Sequence, residues 1–203
     1  ENVAGAGGTI GPKKVAAAKP DGYTLVLMHI GISTSVSLYR KLGYNPVTDL
    51  EPIGLITDVP MTFIARKDFP PKDMKELIAY VKANKDKVTY ANAGIGAASH
   101  LCGMLLMSAI QADLTTVPYK GTGPAMTDLI GGQVDFMCDQ TTNTTPQIRG
   151  GKVKAYSVTT KSRIKALPDL PTVQESTHVV HGCCTRPVRL KVDGRKRLGV
   201  LLG

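Results

Sequence analysis

Val88-Thr89-Tyr90-Ala91-Asn92-Ala93-Gly94-Ile95-Gly96-Ala97-Ala98-Ser99-His100 is the stretch from which the fold is read. A β-rich run from Val88 to Ala91 ends in a glycine-rich turn, and a helix is predicted from about Ser99 to Ile110. The unit repeats downstream as strand Leu114 to Val117, helix Pro124 to Ile130 and strand Val134 to Cys138. Upstream, Met74, Leu77, Ile78 and Val81 recur at i, i+3, i+4 and i+7, the apolar stripe of a helix that starts at the Pro70-Pro71 pair and ends near Asn84. Strand-length runs and helix-length amphipathic runs in alternation predict an α/β protein whose parallel sheets are covered by helices.

The N-terminal third continues the alternation. Thr9 is a candidate cap for a helix to about Lys19, with Pro12 in its first turns. The turn Pro20-Asp21-Gly22 feeds a strand from Tyr23 to His29, then a polar loop from Gly31 to Ser35 and a short helix through Leu38 and Leu42. Strands are predicted at Ile53 to Thr57 and Met61 to Arg66, and a last one at Val153 to Thr159 beyond the Gly150-Gly151 break. The β-α-β units of residues 61–150 are self-contained. Residues 1–60 with 151–175 are therefore expected to close a second, partial lobe across a hinge with two crossings, leaving 176–203 as an atypical tail.

Charge and cysteines exclude more than they assign. The net charge is +9, but residues 176–203 carry +5 of it, and the remaining lysines are scattered over helical faces. With three Phe and no Trp there is little for bases to stack on, so nucleic acid is not expected as a partner. No run approaches the roughly 18 apolar residues of a membrane span. No signal peptide is visible, and Glu1 stands in mid-motif, so the N-terminus reads as a cut end. Cys102, Cys138, Cys183 and Cys184 form no CxxC and no paired framework; Cys102 and Cys138 lie in apolar stretches, where a buried free thiol is the commoner state. His178, His181, Cys183 and Cys184 are zinc-type ligands without a zinc-type spacing, and neither a metal nor any other cofactor is expected.

Three polar loops at strand ends could carry chemistry. The loop Ala91 to His100 presents backbone amides with a helix dipole behind them, which binds anions; it lacks GK[ST] and GxGxxG spacing. Equally open is a plain connection with Ser99 as N-cap. Gly31 to Ser35 is either a helix cap or a second such site, and Asp139-Gln140-Thr141-Thr142 ends a third strand in the same manner. Asp139 is either a solvated loop acid or an acceptor of a hydrogen bond from a ligand's amine or acid proton. Tyr119 and Lys120 could offer a phenol and a cation to a carboxylate, or form a simple strand-to-helix turn. Ligands of open α/β sheets lie beyond the carboxyl ends of strands, which favours the three loops taken together. His29 and His100 have no acidic partner at metal or triad spacing, and GxSxG, HExxH and carboxylate-pair signatures are absent, so no enzyme is expected.

A set of motifs in order carries a resemblance. It comprises Glu1-Asn2, Gly5-Ala6-Gly7-Gly8-Thr9-Ile10-Gly11, Pro20-Asp21-Gly22-Tyr23-Thr24-Leu25, Ser37-Leu38-Tyr39, Tyr44-Asn45-Pro46 and Asp49-Leu50-Glu51-Pro52-Ile53. Further on stand Val117-Pro118-Tyr119-Lys120-Gly121, Thr127 to Asp135 and Leu167 to Val173. Over residues 1–175 the chain resembles the Bug family, extracytoplasmic solute receptors of tripartite tricarboxylate transporters.

The resemblance implies a periplasmic-binding-protein fold of the two-crossing type (type II). It also implies a periplasmic, monomeric receptor that closes on a small carboxylate (a di- or tricarboxylate, an amino acid or an aromatic acid) and serves membrane transporter subunits. Carried over by position, the ligand-binding residues are Gly31, Ile32 and Ser33 from the first lobe, and Ala97, Ala98, Ser99, His100, Asp139 and Gln140 from the second. Members have Ser or Thr, Ser and His around the second-lobe helix start, so Ala97-Ala98 implies one side-chain donor fewer here. Members also have a strand and a glycine-rich cleft loop ahead of Glu-Asn, and another strand and helices where this chain has its basic tail, which reads as a shifted frame or artificial end. With the first lobe incomplete, weak ligand binding by these 203 residues is expected. The alternative is a ligand-sensing domain of a regulator, which shares the fold and would require a helix-turn-helix domain upstream.

Overall fold

The computed structural model describes residues 1–177 and 198–201. Its centre is a five-stranded sheet built from β3 (Met61–Arg66), β4 (Thr89–Asn92), β5 (Thr115–Pro118), β6 (Phe136–Gln140) and β7 (Val153–Val158), in the order β5-β4-β6-β3-β7. The helices of this body are α3 (Met74–Ala83), α4 (Ala98–Ile110), α5 (Thr122–Ile130), α6 (Thr141–Arg149) and α7 (Val173–Ser176). Strand alternation feeds two cores. Phe63, Tyr90, Phe136 and Cys138 point to one face with Met74, Leu77, Val81, Leu106 and Ile110 of α3 and α4. Their neighbours Ile64, Ala91 and Met137 point to the other, with Ala125, Met126 and Leu129 of α5. Burial on both faces explains why these strands read as apolar runs rather than as alternating ones.

The expectation of a parallel sheet is corrected here. β4 runs parallel to β5 and β6, but β3 is antiparallel to both its neighbours, β6 and β7, so the sheet is mixed. β3 arrives straight from the N-terminal body and not through a covering helix, and nothing forces it parallel. β7, grouped by sequence with residues 1–60, instead pairs with β3 from Thr62↔Val158 to Arg66↔Val153. The Lys154 ammonium and the Tyr156 hydroxyl tie it further, donating to backbone carbonyls of Phe69 and Pro71. Val173 of α7 joins the same core. β7 and Val173 thus pack with the five-stranded sheet.

The N-terminal body holds a 3-10 turn (Ala6–Gly8), α1 (Ile10–Ala16), β1 (Leu27–Met28), α2 (Gly31–Leu38) and β2 (Glu51–Leu55). Its core is small: Ala16, Val26, Met28, Ile32 and Leu50. The strand expected over Tyr23 to His29 shrinks to two residues, and α1 stops at Ala16. Thr9 precedes α1 but does not cap it; its hydroxyl donates back to the Ala6 carbonyl. Past Glu175 the sequence shows no strand pattern, yet β8 (Leu198–Leu201) lies between β1 and β2, parallel to both. The His178, His181, Cys183 and Cys184 cluster lies outside the described residues.

Local chemistry sets the ends of α3 and α4. Asp73, not the proline pair, caps α3, its carboxylate accepting the Glu76 amide at 2.8 Å. Gly103 sits in α4 where a Cβ would collide with the Tyr90 ring, so glycine is required there by close approach and not by its backbone angle. Cys102 of α4 and Cys138 of β6 are joined in a disulfide, Cα–Cα 6.1 Å, both fully buried. The free-thiol expectation is therefore wrong for this pair. Their 36-residue separation gives no local sign of pairing; packing of α4 on β6 creates it.

Candidate functional site

The turn between β4 and α4 is built by side chains that reach back into it. Asn92 Oδ1 accepts the Gly94 amide at 3.0 Å, Ser99 Oγ accepts the Ala93 amide at 2.8 Å, and His100 Nδ1 accepts the Gly96 amide at 3.2 Å. Gly94 (φ 116°) and Gly96 (φ 84°) supply the left-handed turns that this path needs. Ser99 is therefore an anchor for the loop and not the N-cap; that position is Ala97, which offers no side-chain acceptor. As a result, no hydrogen bond among the described residues takes the amides of Ala98, Ser99 and His100. Three donors and the positive end of a 13-residue helix point out of the turn.

α2 is arranged differently. Gly31 to Ser35 is the first part of a helix and not a loop. The Gly31 amide donates to His29 Nδ1 at 2.9 Å, the Ile32 amide to the His29 carbonyl at 3.2 Å and the Ser33 amide to the Ile30 carbonyl at 3.0 Å. The backbone donors at Gly31, Ile32 and Ser33 are thus spent within their own turn. What sequence inspection missed is His29. Its signal is the spacing: a histidine two residues before a helix-opening glycine can fold its Nδ1 onto that amide, as His100 does from four residues beyond Gly96.

The two helix starts face each other. Tyr39 donates its hydroxyl to the Ile95 carbonyl at 2.6 Å, and Thr34 Oγ1 lies 3.4 Å from the Gly96 carbonyl. A Cβ on Gly31 would stand 2.8 Å from that same Gly96 oxygen, and one on Gly7 would strike the Ile95 carbonyl. Only bare glycine backbone permits this approach of the N-terminal body to the β4–α4 turn. Of the residues expected in the site, Gly31 is accordingly brought against Gly96, the residue before Ala97.

Asp139 and Gln140 occupy the end of β6, not a loop beyond it, and α6 begins at once with Thr141. Asp139 is buried, accepts from Asn143 Nδ2 at 3.2 Å, and its carboxyl is pushed up to about 6 by loss of water; donors from Gln140, Thr122 and Asn143 partly oppose that rise. It makes no hydrogen bond to the turn before α4, but it is coupled to α4 through Cys138. The Cys138 amide donates to Tyr90 Oη at 3.2 Å, and that hydroxyl donates to the Ser99 carbonyl at 2.5 Å. The disulfide ties the same two elements. Gln140 precedes α6 as its N-cap without a side-chain bond. Tyr119 is engaged elsewhere: its phenol donates to Asp128 at 2.7 Å, and burial together with that carboxylate pushes it up to about 12. Among the described residues no group of three or more His, Cys, Asp or Glu could hold a metal.

The profile described as tripartite tricarboxylate transporter family receptor matches residues 1–185. The chain belongs to that receptor family. The UPF0065 protein in the TAR-I ttuE-ttuC' intergenic region of Agrobacterium vitis is 57% identical over 175 residues, covering 86% of this chain and 51% of the relative. The periplasmic binding protein BugD is 65% identical with a TM-score of 0.82, covering 87% of this chain and 59% of that one. MatC from Rhodopseudomonas palustris, solved with bound malate, is 45% identical with a TM-score of 0.79, covering 85% and 59%. This receptor chain therefore has the mixed α/β fold of periplasmic binding proteins, and it spans about half the length of the curated relatives it matches.

Proposed function

We propose that this chain forms the carboxylate-capturing part of an extracytoplasmic solute receptor, one that catalyses nothing and passes its ligand, as a monomer, to membrane subunits of a tripartite tricarboxylate-type transporter. The observation that carries the reading is the set of unspent amides at Ala98, Ser99 and His100, aimed from a helix start where the two bodies meet. Donors of this kind replace water around a carboxylate at little cost, because the dipole is fixed before the ligand arrives. Malate in the related MatC supports a small dicarboxylate as ligand. Asp139 and Gln140, at the end of the neighbouring strand, are proposed to line the same crevice, with Asp139 accepting a hydrogen bond from the ligand. The Cys102–Cys138 disulfide suits an oxidising compartment such as the periplasm. No helix among the described residues is long and apolar enough to cross a membrane.

The test is a titration of the 15N-labelled protein with malate, with sodium chloride as the ionic-strength control. Saturable shifts of the Ala98, Ser99 and His100 amides are expected. Amides that stay in place up to tens of millimolar malate, and equally under succinate, aspartate, citrate and benzoate, would refute the reading.

A further inference from the structure

The N-terminal body poses a problem for any anion held between the two bodies, because the backbone amides at Gly31, Ile32 and Ser33 all have internal acceptors. A donor from that side has to be something other than these amides. We infer that His29 is that donor, its Nε2–H being the N-terminal body's direct hydrogen bond to the carboxylate; the inference rests on the receptor reading above and adds a specificity-determining residue to it.

Three observations converge on this assignment. An imidazole nitrogen that accepts an N–H carries no proton, so the bond from the Gly31 amide to Nδ1 puts the proton of neutral His29 on Nε2. No hydrogen bond among the described residues uses that Nε2. The ring also lies at the meeting point of the two bodies. A Cβ built on Gly31 would be 2.5 Å from His29 Cε1 and 2.8 Å from the Gly96 carbonyl, while one built on Gly8 would be 3.1 Å from His29 Nε2. The absence of a side chain at Gly8 keeps the space next to Nε2 open.

The arrangement is mirrored across the contact. His100 takes the Gly96 amide on Nδ1 and likewise keeps its proton on Nε2. Burial lowers the affinity of both imidazoles for a second proton, so each stays a neutral donor at neutral pH. A neutral, oriented N–H on each side suits an anion that must be released again. A fixed ammonium in the same place would hold it harder and would pull any anion in.

The experiment reads the side-chain nitrogens directly. The chain has four histidines, so long-range 1H–15N spectra of the imidazoles resolve into a small set of patterns. His29 and His100 are expected to show the Nε2–H form, and malate is expected to move the His29 Nε2 resonance along the same saturation curve as the Ala98–His100 amides. Two variants separate the ring's roles. His29→Asn keeps an acceptor for the Gly31 amide and removes the distal N–H; it is expected to melt as the unaltered protein does and to lose about ten- to a hundred-fold in malate affinity, the worth of a hydrogen bond to a charged group. His29→Gln carries a distal N–H and is expected to recover part of that loss. If the amides respond while His29 Nε2 stays still, or if His29→Asn binds as tightly as the unaltered protein, the assignment is overturned and the receptor reading stands. If neither responds, both are overturned. The imidazole spectra need no variant, so a poorly folding substitution does not decide the outcome.

Discussion

Breaking the Cys102–Cys138 bond is expected to cost this chain about 4 kcal/mol, because the bond closes a loop with a separation of 36 residues and the unfolded chain loses that much entropy when it is closed. For a body of this size such a loss lowers Tm by roughly 10 °C. The assay compares two thermal melts, one of the untouched protein and one after unfolding in a strong reductant, alkylation and refolding. Mass spectrometry supplies the internal check: alkylation of denatured but unreduced protein should spare Cys102 and Cys138. Labelling of that pair refutes the bond itself. An intact bond whose loss moves Tm by less than about 2 °C refutes the entropic argument and assigns the stability of the α4–β6 contact to packing alone. The consequence reaches the site, since α4 carries the open amides and β6 carries Asp139 one residue after Cys138. Reduced protein should therefore also bind malate more weakly.

Two further perturbations test the interior around that contact. Asp139 is buried with its carboxyl raised to about 6, so the fold prefers it protonated; its stabilising state is complete below the ordinary carboxylate value and is lost as pH rises through about 6. Asp139→Asn is accordingly expected to raise stability by up to about 3 kcal/mol at pH near 8 and by nothing below pH near 4, and denaturant melts at the two pH values would show the difference vanish or, against the argument, persist. Gly103→Ala would gain about 1 kcal/mol in an open helix. Here its methyl meets the Tyr90 ring, and a net loss of about 1–3 kcal/mol is expected instead, with a stabilised variant in a thermal melt contradicting the packing described.

Much of the second body is legible before any coordinates are seen. The stripe Met74, Leu77, Ile78, Val81 is buried as its spacing requires, because a 3.6-residue period leaves only one face to turn inward. The β4–turn–α4 unit is equally plain from its glycines. Legibility fades where the chain offers no period. α6 has no sequence signature, since Thr141-Thr142-Asn143-Thr144-Thr145-Pro146 has little helix propensity, and its position is held by contacts with β3, β6 and β7. In the N-terminal body the expected strand at Tyr23 to His29 survives only as Leu27–Met28; β1 and β2 each pair with β8, far along the chain, and not with each other.

The site divides along the same line. Residue order alone identified the receptor family's motifs and the glycine turn before Ser99, since both are properties of neighbouring positions. Which amides remain free is a different matter. His29 and His100 each remove one backbone donor by folding onto it, Ser99 removes another, and the disulfide partners are 36 residues apart. Such pairings depend on distances in space, and a linear pattern contains them only after the chain has packed.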